Sequence, residues 1–227
     1  MGQAIGGALP LAVGIALSPL PIIAVVLMLT GRRPKINGPA FVLGWLAGLG
    51  VVGAIVLAIA GPSGASESGR PATWVGWVKI VLGVLLLLVA VRQFRSRPRG
   101  GDGEDGPQMP KWMAKIDTIS PIAALGLAAV LAGINPKNLL LIIAGGAAIA
   151  QTGIPGGQQA VAYLVFALVG TLGVGTPVVI YFALGARSEK LLAGLKDWMS
   201  QHNAVIMAVL CLVIAAKLVG DGISGLA

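Results

Sequence analysis

The chain has 227 residues, 56% of them hydrophobic and only 11% charged, with a mean hydropathy of +0.91. That balance excludes an ordinary soluble domain and reads as an all-α integral membrane protein. The formal charge of +8 does not point to nucleic acid, because the basic residues fall in short segments between apolar runs rather than on one surface.

Runs of about 20 apolar residues mark membrane-spanning helices. Here they predict six, at 4–29, 37–60, 74–94, 121–150, 157–185 and 203–225. The N-terminus lacks a basic region and a small-residue cleavage pattern, so the first span is expected to be retained rather than removed as a signal peptide. Near its middle that span is interrupted by Ser18-Pro19-Leu20-Pro21. Proline removes a backbone donor and disfavours helix in the residue before it, which frees nearby carbonyls. Inside a bilayer such backbone is tolerated only where protein buries it or water reaches it.

The second span carries Gly44 and Gly48, a spacing that most often means ordinary close packing rather than dimerisation. Trp74, Trp77 and Lys79 open the third span, as interfacial indoles with a snorkelling lysine would. The Gly-, Pro- and charge-rich stretch 96–110 is the one obvious linker. It divides the chain into a first three-helix repeat at 1–95, a cytoplasmic linker at 96–116 and a second repeat at 117–227. Because three is odd, equivalent repeats must enter the membrane in opposite directions, which gives an inverted repeat.

The fourth span is broken in its turn, at Asn135-Pro136-Lys137-Asn138, with Pro136 lying 117 positions after Pro19 and Gly170 lying 117 after Gly53. Paired breaks near mid-membrane point to a transport site, where unwound carbonyls, helix ends and amide side chains meet a ligand. Ser18, Asn135 and Asn138 are then polar substrate ligands, and Pro19, Pro21 and Pro136 hold the breaks open. Lys137 is the sharpest signal, since a cation at that depth needs a partner. Three readings stand for it: contact with an anionic substrate or its path, carbonyls at a helix C-terminus, or snorkelling.

In the fifth span, 170–177 reads as a further flexible interruption whose Thr171 and Thr176 could line a cavity, with back-bonding to their own helix as the alternative. Tyr181 is a weaker candidate, and Asp117 is expected to cap the fourth span or meet a basic loop. Cys211, the single cysteine, reads as a packed thiol. Two stretches, Lys111-Trp112-Met113 and Lys196-Asp197-Trp198-Met199, are expected to lie in the headgroup layer.

Most of the 16 basic residues lie in the segments after spans one, three and five, among them Arg32, Arg33, Arg92, Arg95, Arg187 and Lys190. The positive-inside rule therefore makes those segments cytoplasmic and puts both termini outside.

Ala16-Leu17-Ser18-Pro19-Leu20-Pro21-Ile22 and Ile134-Asn135-Pro136-Lys137-Asn138 resemble motifs of the LysE superfamily of exporters. The wording around both motifs and the long basic loop between the halves are most similar to the GAP family, the peptidoglycolipid or sulfolipid addressing proteins of actinobacteria. The resemblance covers the whole chain in layout and about a dozen residues in specific motif. It implies a bacterial cytoplasmic-membrane exporter of a glycolipid, its precursor or another anionic amphiphile. Amino-acid exporters of the superfamily typically have Gly between the two prolines of the first motif, where this chain has Leu20.

Two other classes compete with transport. Gly222-Ile223-Ser224-Gly225 matches a pattern of intramembrane serine proteases, but the only histidine, His202, lies 22 residues away on the same predicted helix. The chain is therefore expected not to be an enzyme, and to need no cofactor or metal. A scaffold of a lipid-export machine is the other alternative, as is export of a small solute such as an amino acid or ion. Membrane lipids and a lipid or small-molecule substrate are the expected partners, with a homodimer and association with export machinery left open.

Overall fold

Proline placement divides two of the six apolar runs and leaves the other four whole. A computed structural model describes residues 1–60, 73–95, 116 and 118–226, with only the backbone described for Thr73, Trp74 and Ala186. The expectations placed on Trp74, Trp112, Asp117 and most of the 96–116 linker lie outside what is described. Among the described residues the regular structure is helical, without strands.

In the first run α1 (Gly2–Ala16) is followed by α2 (Pro19–Leu29), and in the fourth α5 (Pro121–Gly133) is followed by α6 (Pro136–Ala150). The bends are 53° and 64°. Pro19 and Pro136 each open the second helix of their pair, where the missing N–H is not needed and the fixed φ suits a first turn. The intact helices are α3 (Pro34–Ala60), α4 (Thr73–Arg95), α7 (Gly156–Leu184) and α8 (Ser188–Ser224). Each of the four is long and apolar enough to cross a membrane, and six spans result if each bent pair is one.

One expectation is corrected here. Residues 170–177 do not interrupt the fifth span, because α7 runs through them. The hydroxyls of Thr171 and Thr176 bond back to the carbonyls of Ala167 and Leu172, each at 2.7 Å, so the polar residues are satisfied within the helix. The stretch Lys196-Asp197-Trp198-Met199 is helical and continuous with the sixth span. It belongs to the 37-residue α8, whose length of about 55 Å exceeds a bilayer's apolar layer. Within that stretch Met199 is buried, Trp198 is exposed, and Lys196 pairs with Asp197 at 3.1 Å.

Small residues set the close contacts. Gly48 faces Ala129 on α5 so tightly that an added methyl would sit 2.6 Å from the Ala129 carbonyl oxygen, and Gly44 meets Leu125 in the same way. A methyl at Gly173 would run into the carbonyl of Ala16, at the end of α1. The α4 and α8 backbones approach at Gly76 and Gly222. With no lipid-solvent hydrophobic drive between helices, such contacts hold the bundle through dispersion. Outward-facing positions are apolar: Leu43 is 61% exposed and Ile59 73%, the reverse of a water-facing helix.

Candidate functional site

Each break strands backbone carbonyls, and side chains from the two breaks satisfy them. The carbonyl of Ile15 would normally receive the N–H four residues on, but that residue is Pro19. The Ser18 hydroxyl donates to it instead, at 2.7 Å. Near the end of α5 the Leu131 carbonyl accepts from Asn138 Nδ2 at 3.2 Å. Asn135 caps α6 by accepting from the Lys137 backbone N–H at 3.1 Å.

Lys137 ties the breaks together. Its Nζ donates to the Gly14 carbonyl and to Ser18 Oγ, both at 2.6 Å, and Ser18 Oγ lies 3.1 Å from Asn138 Oδ1. Lys137, Ser18 and Asn138 are 2%, 3% and 0% exposed. Among the three readings of Lys137 the structure therefore gives the helix-end one: its cation stands at the C-terminus of α1, the negative end of that helix dipole. Snorkelling is excluded by the burial. The same lysine also lines a cavity, so contact with a ligand is compatible with the helix-end role.

That cavity, about 530 Å³, has six polar contributors: Ser18, Asn135, Lys137, Arg92, Gln93 and Asn203. It lies at the end of the bundle where α4 finishes. A second cavity of about 710 Å³ is lined by the last turns of α3 and the first of α7, including Gly50, Ala58, Gln159 and Tyr163. Asn203 lies on α8, which follows directly on the end of α7, whereas the second cavity lies at the start of α7, so the two cavities lie toward opposite ends of the spans.

Between them the bundle is filled. Trp45, Leu49, Phe166, Ile15 and Leu141 are all fully buried. Two reciprocal hydrogen bonds pin the α3–α7 crossing there: Trp45 Nε1 donates to the Gly170 carbonyl at 3.3 Å, and the Tyr163 hydroxyl to the Leu49 carbonyl at 2.7 Å. Gly53 provides the space that the Tyr163 ring fills.

Of the sequence-predicted residues, Ser18, Pro19, Pro21, Asn135, Pro136 and Lys137 meet at the first cavity, and Asn138 lies behind it in the buried network. Thr171 and Thr176 are on α7 and do not line it. Tyr181 is half-buried near the end of α7, against Phe182. Sequence reasoning missed Asn203, Trp45 and Tyr163, and treated Arg92 only as a topology marker. The available signal for the two aromatics was a polar tip inside an apolar run, at Trp45 of α3 and Tyr163 of α7, where an N–H or O–H needs a partner.

Cys211 is buried and free. Lys79 is 7% exposed rather than snorkelled, with Asp221 and Lys217 as its charged neighbours. His202 and Ser224 both ride on α8, so about 33 Å of helix separates them. Among the described residues no group of three or more His, Cys, Asp or Glu is arranged to hold a metal ion.

Apolar helices, two bent pairs and a buried polar junction between their breaks define a helical membrane protein. The model of the Sap, sulfolipid-1-addressing protein family matches residues 8–224, nearly the whole chain, and the chain belongs to that family. Comparison with curated proteins and with solved structures found no match.

Proposed function

We propose that this protein moves an anionic lipid, a glycolipid or its precursor, across the bacterial cytoplasmic membrane by alternating access between two inverted three-helix repeats. The observation that carries the reading is the buried Lys137–Ser18–Asn138 junction, flanked by cavities toward opposite ends of the spans. The family's name, sulfolipid-1-addressing protein, suggests the substrate class: a lipid with a sulfated head.

Helix pairing supports the repeat. Exchanging α1, α2, α3 and α4 for α5, α6, α7 and α8 turns the α3–α5 contact into α7–α1, α3–α6 into α7–α2, α2–α8 into α6–α4 and α2–α3 into α6–α7, and all of these pairs pack. The exchange is incomplete: the α1–α6 contact, which Lys137 crosses, and the α1–α8 contact have no equally close counterparts among the described residues. With the basic segments cytoplasmic and both termini outside, the cavity at Arg92 is the inner one and that at Tyr163 the outer one. Lys137, when charged, has three donors. Two serve the breaks, and the third is left for an anionic head.

In this reading the protein is a LysE-superfamily exporter and not an enzyme. The test is reconstitution in liposomes with a fluorescent sulfated or phosphate-headed lipid, scored by loss of the probe to a membrane-impermeant quencher. Lipid movement that requires the protein supports the reading. Movement of an amino acid or ion instead would replace it with small-solute export, and no movement of either, with co-purification of a lipid exporter, would replace it with a scaffold.

A further inference from the structure

The inner cavity is not closed off from the outer surface of the bundle. An apolar groove of about 370 Å³ between α4 and α6 is lined by Leu85, Leu88, Leu139 and Leu140, and shares Val89, Arg92 and Pro136 with the cavity that holds Lys137. Leu85 and Leu88 are 41% and 61% exposed, on the side that would face lipid. Polar cavity and apolar groove therefore meet along one wall, and Arg92 stands at the join.

Resting on the lipid-transport reading above, we infer that this seam is a lateral portal, where an anionic lipid docks with its head at Arg92 and one acyl chain in the α4–α6 groove. Three observations specify that occupant. Arg92 makes no hydrogen bond or ion pair among the described residues, and neither cavity nor groove is lined by Asp or Glu. The order along α4 is that of a lipid in the adjoining leaflet: Arg92 lies one turn from the helix end at Arg95, while Leu88 and Leu85 lie successively deeper, about 6 and 10 Å further in. Beyond Arg92 the cavity continues to Asn203, Ser18 and Lys137, a polar path inward for the head alone.

The groove on the other face of α4, against α8, lacks this continuity. Leu87, Phe94 and Leu212 line it, and it shares no residue with the polar cavity. It serves as the internal control.

The experiment uses the full chain in nanodiscs with a phosphatidylglycerol that carries a photoreactive group on one acyl chain, and a phosphatidylcholine probe with the same chain. Labelled peptides are mapped by mass spectrometry. Labelling by the anionic probe is expected to concentrate on Leu85, Leu88, Leu139 and Leu140, to fall about tenfold in Arg92→Gln, as the loss of a charge-assisted contact implies, and to fall in Leu88→Trp, which fills the groove. Leu87→Trp should leave it unchanged. Even labelling around the bundle, equal labelling by the zwitterionic probe, or loss in Leu87→Trp instead would overturn the portal. The readout is independent of transport: specific labelling without lipid movement upholds the portal and removes the transport reading, and lipid movement with unspecific labelling does the reverse.

Discussion

Lys137 Nζ donates to Ser18 Oγ at 2.6 Å across 119 positions of sequence, which makes the two helix breaks one polar junction. The carbonyls freed at the end of α1 and the cation placed in the first turn of α6 answer each other's unmet bonding. Neither break is fully satisfied on its own.

Coupling is the first consequence. Lys137→Met leaves the Gly14 carbonyl and Ser18 hydroxyl without their donor, and each unmet buried group costs about 1–3 kcal/mol. The variant should unfold at lower temperature in detergent and, at equal amounts of folded protein, move less anionic substrate. Ser18→Ala should destabilise as well, but the double variant should lose at least about 1 kcal/mol less than the sum of the singles. Additive losses in a thermal double-mutant cycle would mean that the junction does not act as a unit.

Two glycines two positions apart on α3 should respond oppositely. A methyl at Gly48 would meet Ala129 backbone at 2.6 and 2.9 Å, whereas one at Gly50 meets nothing within 4 Å. Gly48→Ala should therefore destabilise by about 1–3 kcal/mol through overpacking against α5. Gly50→Ala, in open cavity wall, should be neutral or mildly stabilising. Unfolding midpoints compare the two directly, and equal midpoints would show that the α3–α5 backbones can separate freely.

The apolar helices and both bends were legible because apolar length and proline chemistry are local properties of the chain. What the breaks touch was not. The partners of Lys137 lie 123 and 119 positions away, and no pattern within span four encodes them. Gly170 to Pro177 misled for a related reason: glycines and threonines look like an interruption in isolation, yet Gly173 is glycine because the Ala16 carbonyl presses on it, and the threonine hydroxyls close on their own helix. Arg92 was read as a topology marker because its position beside a polar cavity exists only once α2, α4, α6 and α8 pack together.

The two cavities should open to opposite sides of the membrane. In a Cys211→Ala background, since Cys211 is itself buried, Ala58→Cys reports on the cavity at α3 and α7 and Asn203→Cys on the cavity at Arg92. An impermeant thiol reagent added to intact cells should label Ala58→Cys and not Asn203→Cys, and inverted vesicles should reverse the result. Labelling of both from one side would remove the two-ended arrangement on which alternating access depends.

The charged cluster on the α4–α8 seam yields the last prediction. Asp221 accepts from Lys217 four residues earlier on α8, and Lys79 is buried beside both. One carboxylate thus stands between two cations where Gly76 and Gly222 hold the backbones close, so Lys79 has little freedom to swing toward the headgroups. Asp221→Asn leaves the two cations facing each other without a counterion, and a buried unpaired charge is costlier than a missing pair. Since Lys217 and Asp221 are 31% and 41% exposed, solvent screens much of the effect, and the loss should be about 1 kcal/mol. Lys217→Met, which leaves Asp221 as the charged neighbour of Lys79, should cost less. Adding Lys79→Met to Asp221→Asn should recover part of the stability, because the stranded cation is gone. Raising salt should narrow the gap between Asp221→Asn and the parent protein. Thermal unfolding of the four proteins at low and high salt decides the matter: an Asp221→Asn variant no weaker than Lys217→Met, or a double variant weaker than Asp221→Asn, would show that Lys79 is held by packing against α8 rather than by the carboxylate.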